Sequence, residues 1–519
     1  MEKVFLSVDC GTQSLRVMLF SISGELIDKS QQFYAPYQSP RPGYAEQDAE
    51  IYWDSLCRAC GLLKEKHGEL FQRIQGVGVS TLRASMVNVD REGNPLRPLM
   101  VWLDQRKAEP VYHPGGLLKT ALRIVKMEEA LEKTQRDGKC NWIRQNEPEI
   151  WAKTHKYLQV SGFLNCRLTG EFRDSVASQI GHIPFNYRKM QWGKPGELLN
   201  FANLCFPIEP EKLPELVEPG GRIGVITEKA AGQTGIPAGT PVIACGSDKG
   251  CETIGMGVLS QDMASLSFGT TATVQTTSRK YFETLPFMPP YPAPIPGHFN
   301  PEVEIFRGYW MITWFKNEFA HKEMMEAAEK GVPAEMVMNR LLTQAPAGSM
   351  GLVVQPYWSP GLKEPCAKGA MIGFGDVHTK AHVYRAVIEG LAYGLLDGIQ
   401  KMEKRGRSRF QRLAVSGGAS QSDEICQISA DIINLPLVRG RTFETSGLGA
   451  AIVTAVGLGV YSSFEEAIQA MVVYDRVFEP DQRNVGVYRE LFERVYQKMY
   501  PALEGLYKEI RDITGYPEK

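Results

Sequence analysis

Hydrophobic residues near the start of the chain form two short runs separated by a polar corner. The segments Val4–Asp9 and Arg16–Phe20 are largely apolar, which predicts two adjacent strands joined by the corner Gly11–Ser14. The same pattern recurs past the middle, where an apolar run from Ser265 leads through Gly-Thr-Thr at 269–271 into a second β-rich run. One strand–corner–strand pattern therefore occurs twice.

Other segments alternate between strand and helix patterns. Apolar positions at helical spacing predict a helix from Ala49 to about Lys66, and the apolar run Ile74–Ser80 predicts a buried strand. Further on, a predicted strand Leu413–Ser416 is followed by a glycine turn and a predicted helix from about Ser422 to Asn434. Strands mixed with long helices place the chain in the α/β class.

Two segments nearer the C-terminus are also predicted to be helical. The apolar tract around Leu448 to Tyr461 is shorter than the roughly 20 residues that a membrane span needs, so it predicts a buried core helix. The tail from Val487 to Ile510 has helical spacing, and Pro501 is expected to interrupt that helix.

Length and composition narrow the class of protein. A chain of 519 residues is too long for one core, and we predict two domains, 1–258 and 259–519. With 58 basic and 59 acidic residues, the formal net charge is -1, so no overall field favours nucleic acid or an anionic membrane. The ten scattered cysteines suit reduced thiols, and we expect a cytoplasmic enzyme.

The two corners indicate an anion as ligand. A glycine corner lets backbone N–H groups approach an anion, and a threonine adds a hydroxyl donor. One such corner is often only a hairpin turn, whereas two suggest two jaws that close on one polyphosphate. No G-x-x-x-x-G-K-[ST] motif is present, so a P-loop mechanism is not supported.

Two aspartates follow predicted strands. Asp248 comes after the strand Pro241–Cys245, and the end of a strand in an open α/β sheet faces a ligand crevice. Asp248 is therefore a candidate general base, with a helix N-cap as the alternative. Asp9 ends the first strand beside the first corner, and an Asx-turn residue is its alternative.

The motifs occur in an order that is typical of one family. They are D-C-G-T-Q-S (9–14), G-Y-A-E-Q-D-A (43–49), V-W-L-D-Q-R (101–106), G-S-D-K-G (246–250), F-G-T-T (268–271) and G-G-A-S-Q-S-D-E-I-C-Q-I-S-A-D (417–431). In these motifs the chain resembles the FGGY carbohydrate kinase family, which includes glycerol kinase and xylulokinase. The resemblance runs from Val4 to about Gly459. Both family signatures are nearly present, around Lys139–Asn146 and Gly369–Glu389.

The resemblance implies a fold and a set of ligands. The implied fold is α/β, two-domain, actin/hexokinase-like (ribonuclease H-like), with the active site in an interdomain cleft. It implies ATP and Mg²⁺, with Asp248 as the catalytic base and with Asp9 and Asp248 at the metal. The ATP contacts that it implies are Gly11, Thr12, Gln13, Ser14, Gly269, Thr270, Thr271, Gly417, Gly418, Ser422 and Asp423. It leaves open whether the chain forms a homodimer.

The acceptor side departs from the better-known members. The segment Ser80–Ser85 lacks the Gln-Met-His run of xylulokinases, and it shares only Arg83 with the Asn-Gln-Arg-Glu run of glycerol kinases. Arg83 is thus a candidate donor to substrate hydroxyls, with a structural arginine as the alternative. The full set of candidate acceptor residues is Arg83, Asp104, Arg106, Lys249, Glu46 and Trp53.

We therefore expect a kinase that phosphorylates a primary hydroxyl of a small sugar or polyol, such as a pentulose, a pentitol or glycerol. One alternative is a catalytically idle family member that senses a sugar or nucleotide. Another is an actin-fold ATPase or phosphatase that uses water as the acceptor. Rapid sugar-dependent turnover would exclude the sensor, and strong sugar-independent hydrolysis would favour the ATPase.

Overall fold

The computed structural model describes the chain except residues 1–2, 36, 117–118, 121–122, 124–127, 195–200, 286–287, 360–365 and 517–519. It forms two compact units. Unit 1 comprises Met1–Gly255, Tyr291–Asn300 and Glu444–Val472, and unit 2 comprises Met256–Pro290, Pro301–Phe443 and Val473–Lys519. The boundary after residue 258 that the sequence suggested stays a prediction.

Unit 1 is built on a six-stranded sheet. Its strand order is Arg222–Val225, Pro241–Ile243, Ile74–Thr81, Val4–Cys10, Ser14–Ser21, Leu26–Phe33. Val4–Cys10 pairs antiparallel with the strand after the first corner and parallel with Ile74–Thr81. Every residue of Val4–Cys10 is buried, as expected for a strand covered on both faces. The predicted hairpin and the predicted strand from Ile74 are confirmed.

Smaller sheets and helices complete unit 1. A four-stranded sheet has the order Glu46–Gln47, Leu99–Met100, Met86–Val89, Lys156–Gln159. Three strand pairs form two-stranded sheets: Phe185–Asn186 with Gln191–Trp192, Arg173–Ser175 with Glu215–Val217, and Tyr291–Pro292 with Phe299–Asn300. Its α-helices include Glu50–Lys66, Gly68–Phe71, Glu128–Arg136, Lys139–Asn146, Pro148–Lys153, Val160–Thr169, Phe201–Cys205, Glu228–Thr234, Asp248–Gly255, Thr445–Gly457 and Phe464–Met471. Short 3-10 turns lie at Val176–Ser178 and Pro210–Lys212.

Two glycines explain why a late segment of the chain folds with unit 1. The helix Thr445–Gly457 packs on the helix Asp248–Gly255 at very short range. A Cβ at Gly449 would lie 1.9 Å from the Cys251 carbonyl oxygen, and one at Gly255 would lie 1.9 Å from the Thr445 carbonyl oxygen. The apolar tract that predicted a core helix is this helix, and it is buried along most of its length.

Unit 2 contains a second six-stranded sheet with the same plan. Its order is Glu302–Ile305, Ala272–Gln275, Met263–Phe268, Arg412–Ser416, Leu437–Gly440, Tyr474–Phe478. Met263–Phe268 pairs antiparallel with the strand after the second corner and parallel with Arg412–Ser416. The recurrent sequence pattern therefore marks the same hairpin in two sheets.

Helices cover the unit 2 sheet around a core of its own. They include Trp310–Phe319, His321–Lys330, Ala334–Met338, Lys380–Gly406, Asp423–Ile433, Gln482–Leu491 and Gln497–Thr514, with 3-10 turns at Asn339–Thr343, Ser349–Gly351 and Gly418–Gln421 and a further strand pair, Val353–Gln355 with Ala370–Ile372. Among the described residues, every helix is too short or too polar to cross a lipid bilayer.

The predicted interruption at Pro501 is wrong. The helix Gln497–Thr514 continues through Pro501, and the irregular turn is the π-helical segment Phe492–Tyr496 just before it. Pro501 has no backbone N–H and therefore removes one hydrogen bond inside the helix, and the π-helical turn lies directly before that turn of the helix.

Candidate active site

Three adjacent strands of the unit 1 sheet end at the same edge. Parallel pairing aligns the ends of these strands, so the predicted site residues Asp9, Arg83 and Asp248 emerge side by side. Nε of Arg83 lies 3.9 Å from Oδ1 of Asp248. The sheet therefore gathers two carboxylates and a guanidinium that are far apart in sequence.

Asp248 opens the helix Asp248–Gly255, but the preceding residue caps it. Oγ of Ser247 accepts a hydrogen bond from the Gly250 N–H at 3.3 Å, which is the capping contact. Among the described residues, Oδ1 of Asp248 accepts one hydrogen bond, from the adjacent Lys249 N–H at 2.7 Å. Burial raises the pKa of Asp248, and the nearby Arg83 and Lys249 oppose that rise. The group is thus a carboxylate whose proton affinity is increased by its surroundings.

Asp9 lies in a more crowded electrostatic setting. Nη1 of Arg16 contacts Oδ2 of Asp9 at 3.1 Å and Oε2 of Glu444 at 3.5 Å. Burial raises the pKa of Asp9 to about 7; Arg16 opposes the rise, and Asp248 adds to it. Arg16 and Lys29 therefore share the acidic groups around Asp9, since Nζ of Lys29 also contacts Glu444.

This donor set fits Mg²⁺. Oxygen ligands are the ones that Mg²⁺ prefers, and it is commonly held by one or two carboxylates together with waters and substrate phosphates. Asp9 and Asp248 supply two carboxylates within electrostatic range of each other. In the described part of the chain, no group of three or more His, Cys, Asp or Glu side chains is arranged to hold a metal.

The first corner is closed by its own hydrogen bonds. The Gly11 N–H donates to the Ser14 carbonyl at 2.9 Å, and Oγ of Ser14 accepts from the Gln31 side chain at 2.9 Å. Oγ1 of Thr12 accepts from the indole N–H of Trp102 at 2.9 Å. Gln13 is exposed. A Cβ at Gly11 would meet only one atom, at an ordinary 3.5 Å, so the fold does not demand glycine there.

The second corner keeps its side-chain donors available. The Gly269 carbonyl accepts from the Tyr309 N–H at 3.1 Å, which fixes the backbone. The hydroxyls of Thr270 and Thr271 have no hydrogen-bond partner among the residues that the structure describes. Gly269 likewise has space for a Cβ, whose nearest neighbour would be 3.4 Å away.

The predicted adenosine turn lies directly against the second corner. Gly417 has φ +90°, and a Cβ on it would lie 2.7 Å from the carbonyl carbon of Phe268 and 3.0 Å from the Gly269 nitrogen. Glycine is therefore required at this position. Gly418 differs, because a Cβ there would meet nothing within 4 Å.

Two further predicted adenosine contacts, Ser422 and Asp423, form hydrogen bonds or ion pairs within the protein. Oγ of Ser422 accepts from the Ile425 N–H at 3.3 Å and so caps the helix Asp423–Ile433. Asp423 forms ion pairs with Arg439, at 2.9 Å, and with Arg476. Their role in binding adenosine stays a prediction.

The candidate acceptor residues lie in three different places. Arg83 lies at the edge described above, with its guanidinium 5.1 Å from the ring centre of Tyr291. Lys249 is close by, and its Nζ contacts Glu252 at 2.7 Å. Trp53 instead lies in the unit 1 core, 3% exposed. Contact between Trp53 and an acceptor stays a prediction that this placement does not favour.

Hydrogen bonds and ion pairs join the side chains of Asp104, Arg106 and Glu46 into one cluster. Nε of Arg106 contacts both Asp104 oxygens at 2.9 and 3.0 Å, and Nη2 of Arg106 contacts Glu46 at 2.8 Å. The Ala45 N–H also donates to Asp104 at 2.8 Å. Burial would raise the pKa of Asp104, but these hydrogen bonds outweigh it and hold the pKa below its usual value.

Two residues beside the site, Trp102 and Arg16, were not predicted from the sequence. Trp102 is 45% exposed while its indole N–H holds the first corner, so its ring is available to a ligand. The signal that could have identified Trp102 is its position in the V-W-L-D-Q-R motif, two residues before Asp104. Arg16 was treated only as a strand residue, and its pairing with Asp9 across the hairpin could have been inferred from strand register.

Comparison with known proteins identifies the class of enzyme. The model for the N-terminal domain of the FGGY family of carbohydrate kinases matches residues 4–255, and the model for its C-terminal domain matches residues 264–458. The chain belongs to the FGGY family of carbohydrate kinases.

Individual relatives agree with this assignment. An uncharacterised sugar kinase of Escherichia coli is 27% identical and covers 99% of both chains. A xylulose kinase of Lactococcus lactis is 28% identical over 95% of this chain and 96% of its own. A crystal structure of xylulose kinase from Rhodospirillum rubrum aligns with a TM-score of 0.82 at 24% identity, over 98% of this chain and 100% of its own. The family, the α/β class and the two-domain actin/hexokinase-like fold predicted from the sequence are confirmed.

Proposed function

We propose that this kinase transfers the terminal phosphoryl group of ATP to a primary hydroxyl of a small sugar or polyol. The observation that carries the proposal is the convergence of Asp9, Arg83 and Asp248 at one sheet edge, with Arg83 3.9 Å from Asp248. Phosphoryl transfer to an alcohol requires charge neutralisation, placement of the hydroxyl and a proton acceptor. The edge provides a group for each requirement.

Asp248 is the proposed general base. Its carboxylate is free of the capping role that Ser247 performs, and only one backbone N–H binds it. A base is most effective when its pKa lies nearer the working pH, and burial raises the pKa of Asp248 in that direction. Asp248 would accept the proton of the acceptor hydroxyl, while Arg83 would orient that hydroxyl.

Asp9 and Asp248 are the proposed holders of Mg²⁺. Mg²⁺, when bound, would neutralise charge on phosphate oxygens. Arg16 contacts both Asp9 and Glu444, and Nζ of Lys29 also contacts Glu444, at 2.5 Å.

Each corner is proposed to bind phosphate oxygens. In the first corner the donors are the backbone of Gly11–Ser14 and the Gln13 side chain. In the second corner they are the Thr270 and Thr271 hydroxyls, which have no partner in the described chain. Gly11 and Gly269 keep open a space that a side chain would occupy. The open backbone at Gly418 would receive the nucleoside, with Gly417, Ser422 and Asp423 around it.

The acceptor is proposed to lie beside Arg83 and the exposed ring of Trp102. Asp104, Arg106 and Glu46 satisfy one another, so we assign them to shaping the loop that carries Trp102 rather than to binding a hydroxyl. The relatives named xylulose kinase make pentuloses the first acceptors to test. Function as a homodimer and a cytoplasmic location stay predictions.

The test is a panel of ketoses, aldoses and polyols, scored by coupled ADP release with ATP and Mg²⁺. We expect at least one small sugar or polyol to stimulate ADP release far above the sugar-free rate. If no member of the panel stimulates release, the proposal fails in favour of an idle sensor. A high rate that is independent of added sugar would instead support the ATPase.

A further inference from the structure

A single lysine joins the two loops that border the proposed acceptor site. Nζ of Lys139 lies 3.0 Å from the Ala84 carbonyl oxygen and 2.5 Å from the Val101 carbonyl oxygen, with the Met100 carbonyl oxygen at 3.5 Å. An ammonium group has three donors and no acceptor, so it suits a cluster of carbonyl oxygens. Backbone carbonyls at the ends of strands need such partners when they are withdrawn from water.

The two loops carry the groups that the proposed function assigns to the acceptor. Ala84 directly follows Arg83, and Val101 directly precedes Trp102. Ala84 adopts a left-handed backbone, with φ 54°, which a residue other than glycine holds only when its surroundings enforce it. The hydrogen bond from Lys139 is one of the contacts that enforce it.

The strands that carry these loops are also paired with each other, Met86 with Met100. A cavity of about 330 Å³ lies beside the loops, lined by Ala84, Trp102, Asp104, Lys139 and His182 among others. On that side a cavity offers no van der Waals contacts, so polar contacts help to hold the loops there. Ser85 provides another side-chain link, since its Oγ accepts from the Trp102 N–H at 3.2 Å and donates to the Arg83 carbonyl at 3.3 Å.

The lysine is retained at an electrostatic cost. Burial lowers the pKa of Lys139 to about 7; Asp104 and Asp137 oppose the decrease, and Arg106 adds to it. A buried polar group is tolerated when its hydrogen bonds are satisfied, which the carbonyl cluster achieves.

We propose that Lys139 is a positioning residue for the acceptor: it holds the Arg83 loop and the Trp102 loop in the arrangement that binds the sugar or polyol. This inference rests on the proposed function. It predicts a larger kinetic effect on the acceptor than on ATP, because Arg83 and Trp102 themselves border the acceptor, whereas these loops reach the first corner through the hydrogen bond from Trp102 to Thr12.

The chain offers a matched control. Nζ of Lys156 contacts two backbone carbonyl oxygens, those of Glu211 at 2.7 Å and Leu213 at 2.8 Å, and Lys156 also belongs to unit 1. Its contacts involve neither the Ala84 loop nor the Trp102 loop. Lys156→Met therefore removes a similar number of hydrogen bonds without changing the contacts between Lys139 and the two loops.

The experiment measures KM for the best acceptor, KM for ATP and kcat in wild type, Lys139→Met and Lys156→Met. We expect Lys139→Met to raise the acceptor KM at least tenfold, while KM for ATP stays within threefold and Lys156→Met resembles wild type. An acceptor KM in Lys139→Met equal to that of Lys156→Met would overturn the inference. Wild-type turnover is measured in the same series, so absence of any kinase activity would be recognised separately as failure of the proposed function.

A second variant covers the case in which Lys139→Met does not fold. Ser85→Ala removes another link between the same loops. We expect it to raise the acceptor KM at least threefold with KM for ATP unchanged. An unchanged acceptor KM in a folded Ser85→Ala protein would count against positioning by this loop pair.

Discussion

The two glycine-threonine corners lie at equivalent places in two sheets of the same topology, yet their side chains do different work. In unit 1 the strand before the corner carries Asp9 two residues before Gly11, and the hydroxyls of Thr12 and Ser14 accept internal hydrogen bonds. In unit 2 the corresponding position, two residues before Gly269, is Ser267, and the next residue, Phe268, stacks on Tyr309 with ring centres 4.4 Å apart. The comparison separates what the shared hairpin supplies from what each unit adds.

The shared element is backbone geometry, and the difference is charge. Unit 1 concentrates ionisable groups at its sheet edge, where Asp9, Arg83 and Asp248 converge. Unit 2 presents the hydroxyls of Thr270 and Thr271, which are neutral donors. Neutral donors can orient a phosphate, whereas a proton acceptor and a metal site need carboxylates. We infer that the chemistry belongs to unit 1 and that unit 2 mainly binds nucleotide.

The largest effect expected in unit 2 comes from Gly417→Ala. The new Cβ would lie 2.7 Å from the Phe268 carbonyl carbon at a backbone with φ +90°, so the second corner must shift. We expect KM for ATP to rise roughly 10- to 100-fold, together with a loss of about 1–3 kcal/mol in the free energy of unfolding. Nucleotide titration and chemical denaturation measure the two effects.

Gly418→Ala is the matched control, since its Cβ would meet nothing within 4 Å in the protein. Its stability should equal that of wild type, while its affinity for ATP should fall if the nucleoside approaches this backbone. Unchanged ATP affinity in both variants would contradict the proposal that the turn at Gly417 and Gly418 binds adenosine.

A smaller effect is expected from Thr270→Val combined with Thr271→Val. Each hydroxyl would contribute one neutral hydrogen bond, so KM for ATP should rise roughly fivefold or somewhat more, with kcat little changed. Stability should stay near wild type, because neither hydroxyl has a hydrogen-bond partner to lose in the part of the chain that the structure describes.

Ser14→Ala in the first corner sharpens the contrast. Oγ of Ser14 accepts from Gln31, so its removal should cost about 1 kcal/mol of stability and affect ATP affinity less than the threonine pair does. If Ser14→Ala weakens ATP binding more than the double threonine variant, the two corners are not divided as proposed.

Local patterns sufficed for the parts of the structure that depend on neighbouring residues. Strand periodicity predicted both hairpins, and an aspartate after a buried strand predicted the position of Asp248. The edge that unites Asp9 with Asp248 also followed from a general property of parallel strands.

Long-range packing was not accessible in the same way. The contact between Trp102 and Thr12 joins residues 90 positions apart, and the return of Glu444–Val472 to unit 1 depends on close glycine contacts between two helices. Nor does sequence reveal that Asp104 accepts hydrogen bonds from Arg106 and Ala45, which is why we propose a structural role for it. Such features depend on partners that no local pattern specifies.

The most direct test of the division between the units is Asp248→Asn, assayed for both turnover and nucleotide binding. We expect a folded protein whose kcat falls roughly 1000-fold, since it lacks the proton acceptor, while its affinity for ATP, measured without Mg²⁺, stays within threefold of wild type. Turnover like that of wild type, or a loss of ATP affinity as large as the loss of turnover, would contradict it.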